Sequence, residues 1–211
     1  MKSTSILLLS SALVAVATGC MAPKDADGRA HARFTQCSPC HGDSGHGNPV
    51  LGAPPIAGLP IWYVKSQLQK FRTGARGTHF DDVGGLKMRP MALALPEGDV
   101  AAMAKYVSEL PKAPVVTATR IQGDAAKGQA PYATCTACHG VDGSGNESLN
   151  APPIAGQEDW YVLTQLKNFK AGTRGTNAKD ATGGTMRAIA LTLSDEQMAD
   201  VAAHVAKLPR K

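Results

Sequence analysis

Two pentapeptides concentrate the reactive side chains of this chain, Cys37-Ser-Pro-Cys40-His41 and Cys135-Thr-Ala-Cys138-His139. Two thiols three positions apart, with an imidazole directly after the second, form the pattern in which both sulfurs become thioethers on porphyrin vinyl groups. The histidine is then held against one face of the iron. A C-x-x-C alone also fits a redox dithiol or half a zinc site. Here both copies carry the histidine, which favours two covalently bound haem c groups.

A second potential ligand lies 47 residues after each histidine, at Met88 in Gly84-Gly-Leu-Lys-Met88-Arg and Met186 in Gly183-Gly-Thr-Met186-Arg. A thioether on the opposite face completes six-coordinate iron and favours the ferrous state. The metal ligands expected are therefore His41, Met88, His139 and Met186, with Cys37, Cys40, Cys135 and Cys138 as attachment points. The alternative for both methionines is core filling. In the first half Met91 competes with Met88; its counterpart in the second half is Ile189, which cannot ligate. His46, His79 and His204 read as surface residues, because their counterparts Ser144, Asn177 and Tyr106 cannot share a ligand role. His31 also reads as exposed.

These groups sit in an internal duplication. Adding 98 to a first-half number reaches its counterpart without a gap, and Cys37–Pro111 against Cys135–Pro209 gives 36 identities in 75 positions. That identifies two homologous units. The expected boundaries are an export signal over 1–19, a flexible tether over 20–29, a first domain over 30–111, a linker over 112–119 and a second domain over 120–211. Pro111 and Pro114, with the β-branched Val115, Val116, Thr117 and Thr119 after them, favour an extended linker across which the domains touch.

Each unit reads as a helix, a haem-binding turn, an irregular loop, a helix, a Gly-rich loop bearing the methionine, and a final helix. The first helix is expected to end at the cysteine motif, with Pro131 bending or shortening the second copy. Val64, Leu68 and Phe71, matched by Val162, Leu166 and Phe169, give one apolar stripe, and Gly74 and Gly172 supply stops. Val100, Met103, Ala104, Val107 and Leu110 form the stripe of the last helix. Ser194-Asp-Glu-Gln197 has capping-box form, and Pro96 suits a first turn. No stretch alternates with period two, so the fold class is all-α.

Between these elements, Pro54-Pro55 and Pro152-Pro153 either present a rigid carbonyl to the histidine ring N–H or stiffen the loop. Trp62, Tyr63, Trp160 and Tyr161 pack on haem edges, donate to propionates or fill core. Arg76 and Arg174 pair with propionates or remain solvated loop charges.

The chain is 43% hydrophobic and 5% aromatic, with a formal charge of +5. The first unit carries eight Lys/Arg against six Asp/Glu and the second ten against nine. This mixed, mildly basic surface does not form the aromatic-laced basic stripe of a nucleic-acid binder. Met1-Lys2 followed by the apolar run Ile6–Ala17 reads as an export signal too short for a membrane span. Ala17-Thr-Gly-Cys20 is similar to a lipobox, in which lipid on Cys20 tethers the protein to a membrane; cleavage after Ala17 is the other processing outcome.

Ala-Pro-Pro-Ile-Ala-Gly, Trp-Tyr-x-x-x-Gln-Leu, Phe-x-x-Gly-x-Arg-Gly and Met-x-x-x-Ala-x-x-Leu all occur twice, with the paired C-x-x-C-H motifs. Together they resemble the dihaem cytochrome c4 family. The resemblance implies two class-I cytochrome c domains, each wrapped around one covalent haem, packed haem edge to haem edge. It implies a periplasmic electron carrier rather than an enzyme. Its redox protein partners would be a membrane quinol-oxidising complex or dehydrogenase as donor and a terminal oxidase or reductase as acceptor. Rival readings are a haem-bearing subunit of a membrane oxidase or dehydrogenase, and a dihaem peroxidase.

Overall fold

The computed structural model describes residues 26–115 and 119–210, so the export-signal and Cys20 expectations lie outside the described residues. The first domain comprises α1 (Ala26–Phe34), α2 (Ser38–His41), α3 (Ile61–Arg72), α4 (Val83–Ala94) and α5 (Val100–Glu109). The second comprises α6 (Ala125–His139), α7 (Asp159–Lys170), α8 (Ala181–Ala190) and α9 (Asp195–Lys207). Strand pairing among the described residues is limited to two isolated bridges, Asn48–Ala53 and Asn146–Ala151. The all-α expectation holds. Helix α1 begins inside the segment read as tether.

The predicted stripes build the cores. Phe34, Leu95, Val100, Met103 and Val107 are buried together, with Val64, Leu68 and Leu110 against them. Tyr132, Leu166, Leu193, Met198, Val201 and Val205 form the second core. The Ser194 capping box is complete, with its hydroxyl accepting from Gln197 N–H and the Gln197 side chain accepting in return. Pro96 precedes a 3-10 turn at Glu97–Asp99 rather than the α-helix itself.

Two elements differ from expectation. In the second domain the first helix does not end at the cysteine motif but runs through it to His139, with Pro131 inside it. In the first domain the helix breaks and restarts as α2. Pro39 accounts for the break: it lacks an N–H and its ring would clash with the carbonyl four residues earlier, whereas its counterpart Ala137 lets the turn continue. Secondly, both methionines lie on helices, α4 and α8, not on loops. The side chains of Asp82 and Asp180 accept from the N–H groups of Gly85 and Gly183, and this N-cap bond sets the first turn despite the glycines.

The domains meet directly. Lys70 Nζ of α3 lies 2.7 Å from Asp180 Oδ1 and 2.7 Å from Thr182 Oγ1 at the start of α8. Asn177 Nδ2 donates to the Gly74 carbonyl at 3.2 Å. Arg210 donates to the carbonyls of Ala113 in the linker and Gly156.

The adjacent glycines of α4 separate helix propensity from packing. A Cβ at Gly84 meets no atom within 4 Å, whereas one at Gly85 would strike the Asp82 carboxylate. Gly84→Ala should raise stability by roughly 0.5 kcal/mol, and Gly85→Ala should lower it by about 1–3 kcal/mol. Thermal melts of the two variants check the opposite signs.

Candidate functional site

The cysteine pairs sit on one helical turn at the edge of each core. Cys37 and Cys135 are half-buried against the two hydrophobic clusters, and all four thiols are free. Burial, then the neighbouring Cys40, pushes the Cys37 thiol up; burial and Cys138 push Cys135 to about 11. A redox dithiol needs the opposite, a stabilised thiolate. Among the described residues no three His, Cys, Asp or Glu side chains converge as a metal-holding group, which removes the zinc-site alternative from them.

His41 and His139 are buried at 5% and 6% exposure. Each Nδ1 lies 2.8 Å from a prolyl carbonyl, of Pro54 and Pro152 respectively. With Nδ1–H donating, Nε2 carries the lone pair and is the atom free to bind iron. Burial lowers both imidazole pKa values, and the carbonyl bond only partly opposes it. The rings are therefore neutral at pH 7. Gly47 and Gly145 allow the loop to close onto this carbonyl: their φ values are +86° and +82°, and a Cβ would collide with the prolyl backbone.

Met88 and Met186 occupy the same register of α4 and α8 and are both half-buried; Met186 packs on the second core. Met91 is 47% exposed and sits about 60° round the helix from Met88. Met88 instead shares the inward side with buried Ala92 and Leu95.

Arg76 and Arg174 are buried, so the solvated-charge alternative fails for both. Their guanidinium carbons lie 4.5 and 4.3 Å from the ring centroids of Phe71 and Phe169. Arg76 Nη1 donates to Gln67 at 2.6 Å and its Nη2 reaches across the domains to Gln165 Oε1 at 3.4 Å, the oxygen that Arg174 also uses. Burial, then the Arg76 charge, pulls Arg174 down to about 10. Both Nε atoms are buried without a partner. Two like charges with spare donors demand an anion. Haem propionates supply one, so these residues fit the group that the cysteine motifs announce.

Other expectations change. Trp160 Nε1 donates to Glu158 at 3.1 Å, which occupies the donor expected for a propionate. His204 is half-buried rather than on the surface, with Nδ1 3.2 Å from the Ala125 carbonyl and its ring against Tyr132. His46 and His31 are exposed as expected. Sequence reasoning missed Asp82, Asp180 and Lys70. An Asp two or three residues before the Gly-Gly pair in each unit was a readable cap signal; Lys70, whose counterpart is Asn168, carried none.

The Cytochrome c family profile matches residues 26–111 and again 125–209. The chain belongs to the cytochrome c family. Among its relatives are proteins named thiosulfate dehydrogenase electron acceptor from Thiomonas intermedia, 34% identical over 82% of this chain and 78% of that one, and from Stutzerimonas stutzeri, 30% identical over 87% and 84%. Azotobacter vinelandii cytochrome c4 is 30% identical over 80% and 82%. The fold superposes on Acidithiobacillus ferrooxidans cytochrome c4 with a TM-score of 0.69 at 30% identity, covering 83% of this chain and 99% of that one. On a thiosulfate dehydrogenase structure from Marichromatium purpuratum the TM-score is 0.72 at 30% identity, covering 86% of this chain but 40% of the other. The protein is thus a tandem cytochrome c similar to cytochromes c4, an electron carrier whose domains imply covalently bound haem c. Among the described residues no helix is long and apolar enough to cross a membrane.

The Lys70–Asp180 contact between the cytochrome domains gives a pH test. Burial alone would raise the Asp180 carboxyl, but the Lys70 hydrogen bond and charge, the Gly183 N–H and the Arg174 charge together hold it below the usual carboxylate range. A carboxyl depressed on folding contributes stability that is complete above its unfolded pKa, about 4, and is lost as pH falls through the lower folded value. Asp180→Asn should cost about 1.5–3 kcal/mol at pH 6. The gap from wild type should close below pH about 4, as followed by denaturant unfolding across that range.

Proposed function

We propose that this protein is a periplasmic dihaem c-type cytochrome that passes electrons one at a time between redox protein partners. In this reading 30–111 and 120–211 are the haem domains, 112–119 the linker, 20–29 the tether, its end taken up by α1 from Ala26, and 1–19 the export signal. Cys37 and Cys40 hold one haem and Cys135 and Cys138 the other. His41 with Met88, and His139 with Met186, ligate the two irons from opposite faces. The observation that carries this reading is the matched pair of 2.8 Å bonds from His Nδ1 to a prolyl carbonyl, each beside a C-x-x-C pair and in register with a methionine-bearing helix.

When bound, haem iron cycles between ferric and ferrous, and a thioether ligand favours ferrous. The chain's own residues keep the imidazoles neutral and oriented; Met88 and Met186 would offer a thioether sulfur to each haem, and the buried guanidiniums of Arg76 and Arg174 would receive its carboxylates. An iron that took both a histidine and a methionine would have no open position for a substrate, which supports transfer over peroxidase chemistry. Lipid on Cys20 would add a membrane tether. The relatives named as thiosulfate dehydrogenase electron acceptors support a dehydrogenase of that kind as donor; a terminal oxidase or reductase would be the acceptor. The Marichromatium structure supports a second reading, a haem-bearing part of a larger oxidoreductase assembly.

Mass spectrometry of the mature protein should report two haems and an acylated Cys20; an unmodified N-terminus at Thr18 would refute the lipid tether. Reduced wild type should bind little carbon monoxide. Met88→Ala and Met186→Ala should each open one haem to it, while Met91→Ala leaves ligation intact and costs under about 1 kcal/mol. Loss of one Met-to-iron charge-transfer band in Met91→Ala but not Met88→Ala would reverse the assignment in the first domain. For the partner, purified protein mixed with thiosulfate alone should stay oxidised and become reduced once a thiosulfate dehydrogenase is added. Turnover without the added enzyme would favour the assembly reading.

A further inference from the structure

The two methionine-bearing helices are anchored differently, although duplication placed the same aspartate at the head of each. In the first domain Asp82 is satisfied locally. Its Oδ1 accepts from Gly85 N–H at 3.0 Å and its Oδ2 from Gly77 N–H at 3.2 Å, so both oxygens are used by backbone of the same domain. In the second domain Asp180 Oδ1 accepts from Gly183 N–H at 3.0 Å, but Oδ2 is buried without a hydrogen-bond partner. The contact charge comes from the other domain, since Lys70 Nζ lies 2.7 Å from Asp180 Oδ1 and donates to Thr182 Oγ1 at 2.7 Å. The Asp180 side chain is fully buried, and that of Lys70 is 17% exposed. Neither Lys70 nor Thr182 is repeated; their counterparts are Asn168 and Gly84.

We propose that Lys70, a residue of the first domain, is a positioning residue for the distal ligand of the second. It fixes the first turn of α8, and through it Met186, so that methionine ligation in the second domain depends on domain docking while Met88 is held by its own domain. This rests on the reading of Met186 as an iron ligand. The physical step is short. Asp180 and Met186 are less than two helical turns apart, and a buried carboxylate that loses its cation must move toward water or another donor, taking the capped turn with it. Arg174 also bears on Asp180, but it is already shared with Gln165 and lies over Phe169. It cannot replace a contact ammonium that also holds Thr182.

The test uses haem-loaded full-length protein, wild type, Lys70→Met, Lys70→Arg and Thr182→Val. Two readouts are followed: the Met-to-iron charge-transfer absorption of the ferric form on heating, and carbon monoxide uptake by the ferrous form. Lys70→Met should lose up to about half of the absorption at a temperature where wild type keeps it all, and should bind carbon monoxide at about one of its two haems. Lys70→Arg should restore both readouts. Thr182→Val, which removes the hydroxyl that accepts from Lys70 and donates to Asp180 Oδ1 at 3.4 Å but leaves the ion pair, should show the same loss to a smaller degree and covers the case in which Lys70→Met fails to accumulate. Placed in a Met186→Ala background, Lys70→Met should open no further haem. A second carbon monoxide site in that background, equal loss at both haems, or a wild-type-like Lys70→Met would overturn the proposal. Wild type lacking the absorption altogether would instead defeat the ligand assignment on which it rests, and the two failures are told apart by that control.

Discussion

Everything in each domain is arranged around one hydrogen bond, from a histidine ring N–H to a prolyl carbonyl. A carbonyl can hold an imidazole only if its own backbone is fixed, and here that is done from both sides. The loop is pinned to the residue after the cysteine motif by Gly47 N–H to the His41 carbonyl and Gly145 N–H to the His139 carbonyl, at 2.7 and 2.8 Å. Its far end is pinned by Gly58 and Gly156, whose N–H groups donate to Val107 and Val205 at 3.0 Å in both domains. Those valines are buried members of the terminal helices. The orientation of the imidazole is thereby coupled to the packing of the last helix, and the hydrophobic core serves imidazole orientation as well as stability.

Much of this was legible because it is local or repeated. The C-x-x-C-H spacing, the register of Met88 and Met186, the helix stripes and the Ser194 cap each follow from short-range rules, and the duplication supplied an internal control on each. The misreadings share a cause. Gly84-Gly85 and Gly183-Gly184 argue for loops by propensity, yet a single aspartate cap and packing against α3 or α7 outweigh a cost of about 1 kcal/mol per glycine. The break between α1 and α2 turned on one substitution, Pro39 against Ala137, whose effect depends on whether the preceding turn is helical. For Arg76 the sequence left a propionate partner and a solvated charge both open, because one of the groups that receive it, Gln165, lies 89 residues away in the other domain.

The interface also shows what duplication does and does not preserve. The buried Arg76 and Arg174, each over a phenylalanine ring, are retained in both copies, and so are Tyr63 and Tyr161, whose mutual approach together with burial raises the Tyr63 pKa. Identical units facing each other therefore bring like charges together. A guanidinium pair that shares one amide oxygen is poorly compensated when buried, even with the Asp180 charge acting on Arg174, and the spare Nε donors remain open. Carboxylates of a bound porphyrin would relieve both problems at once. Docking of the domains and occupancy of their haem sites would then act in the same direction: the domains bury the cations, and the cofactor would bring the anions that make burying them tolerable.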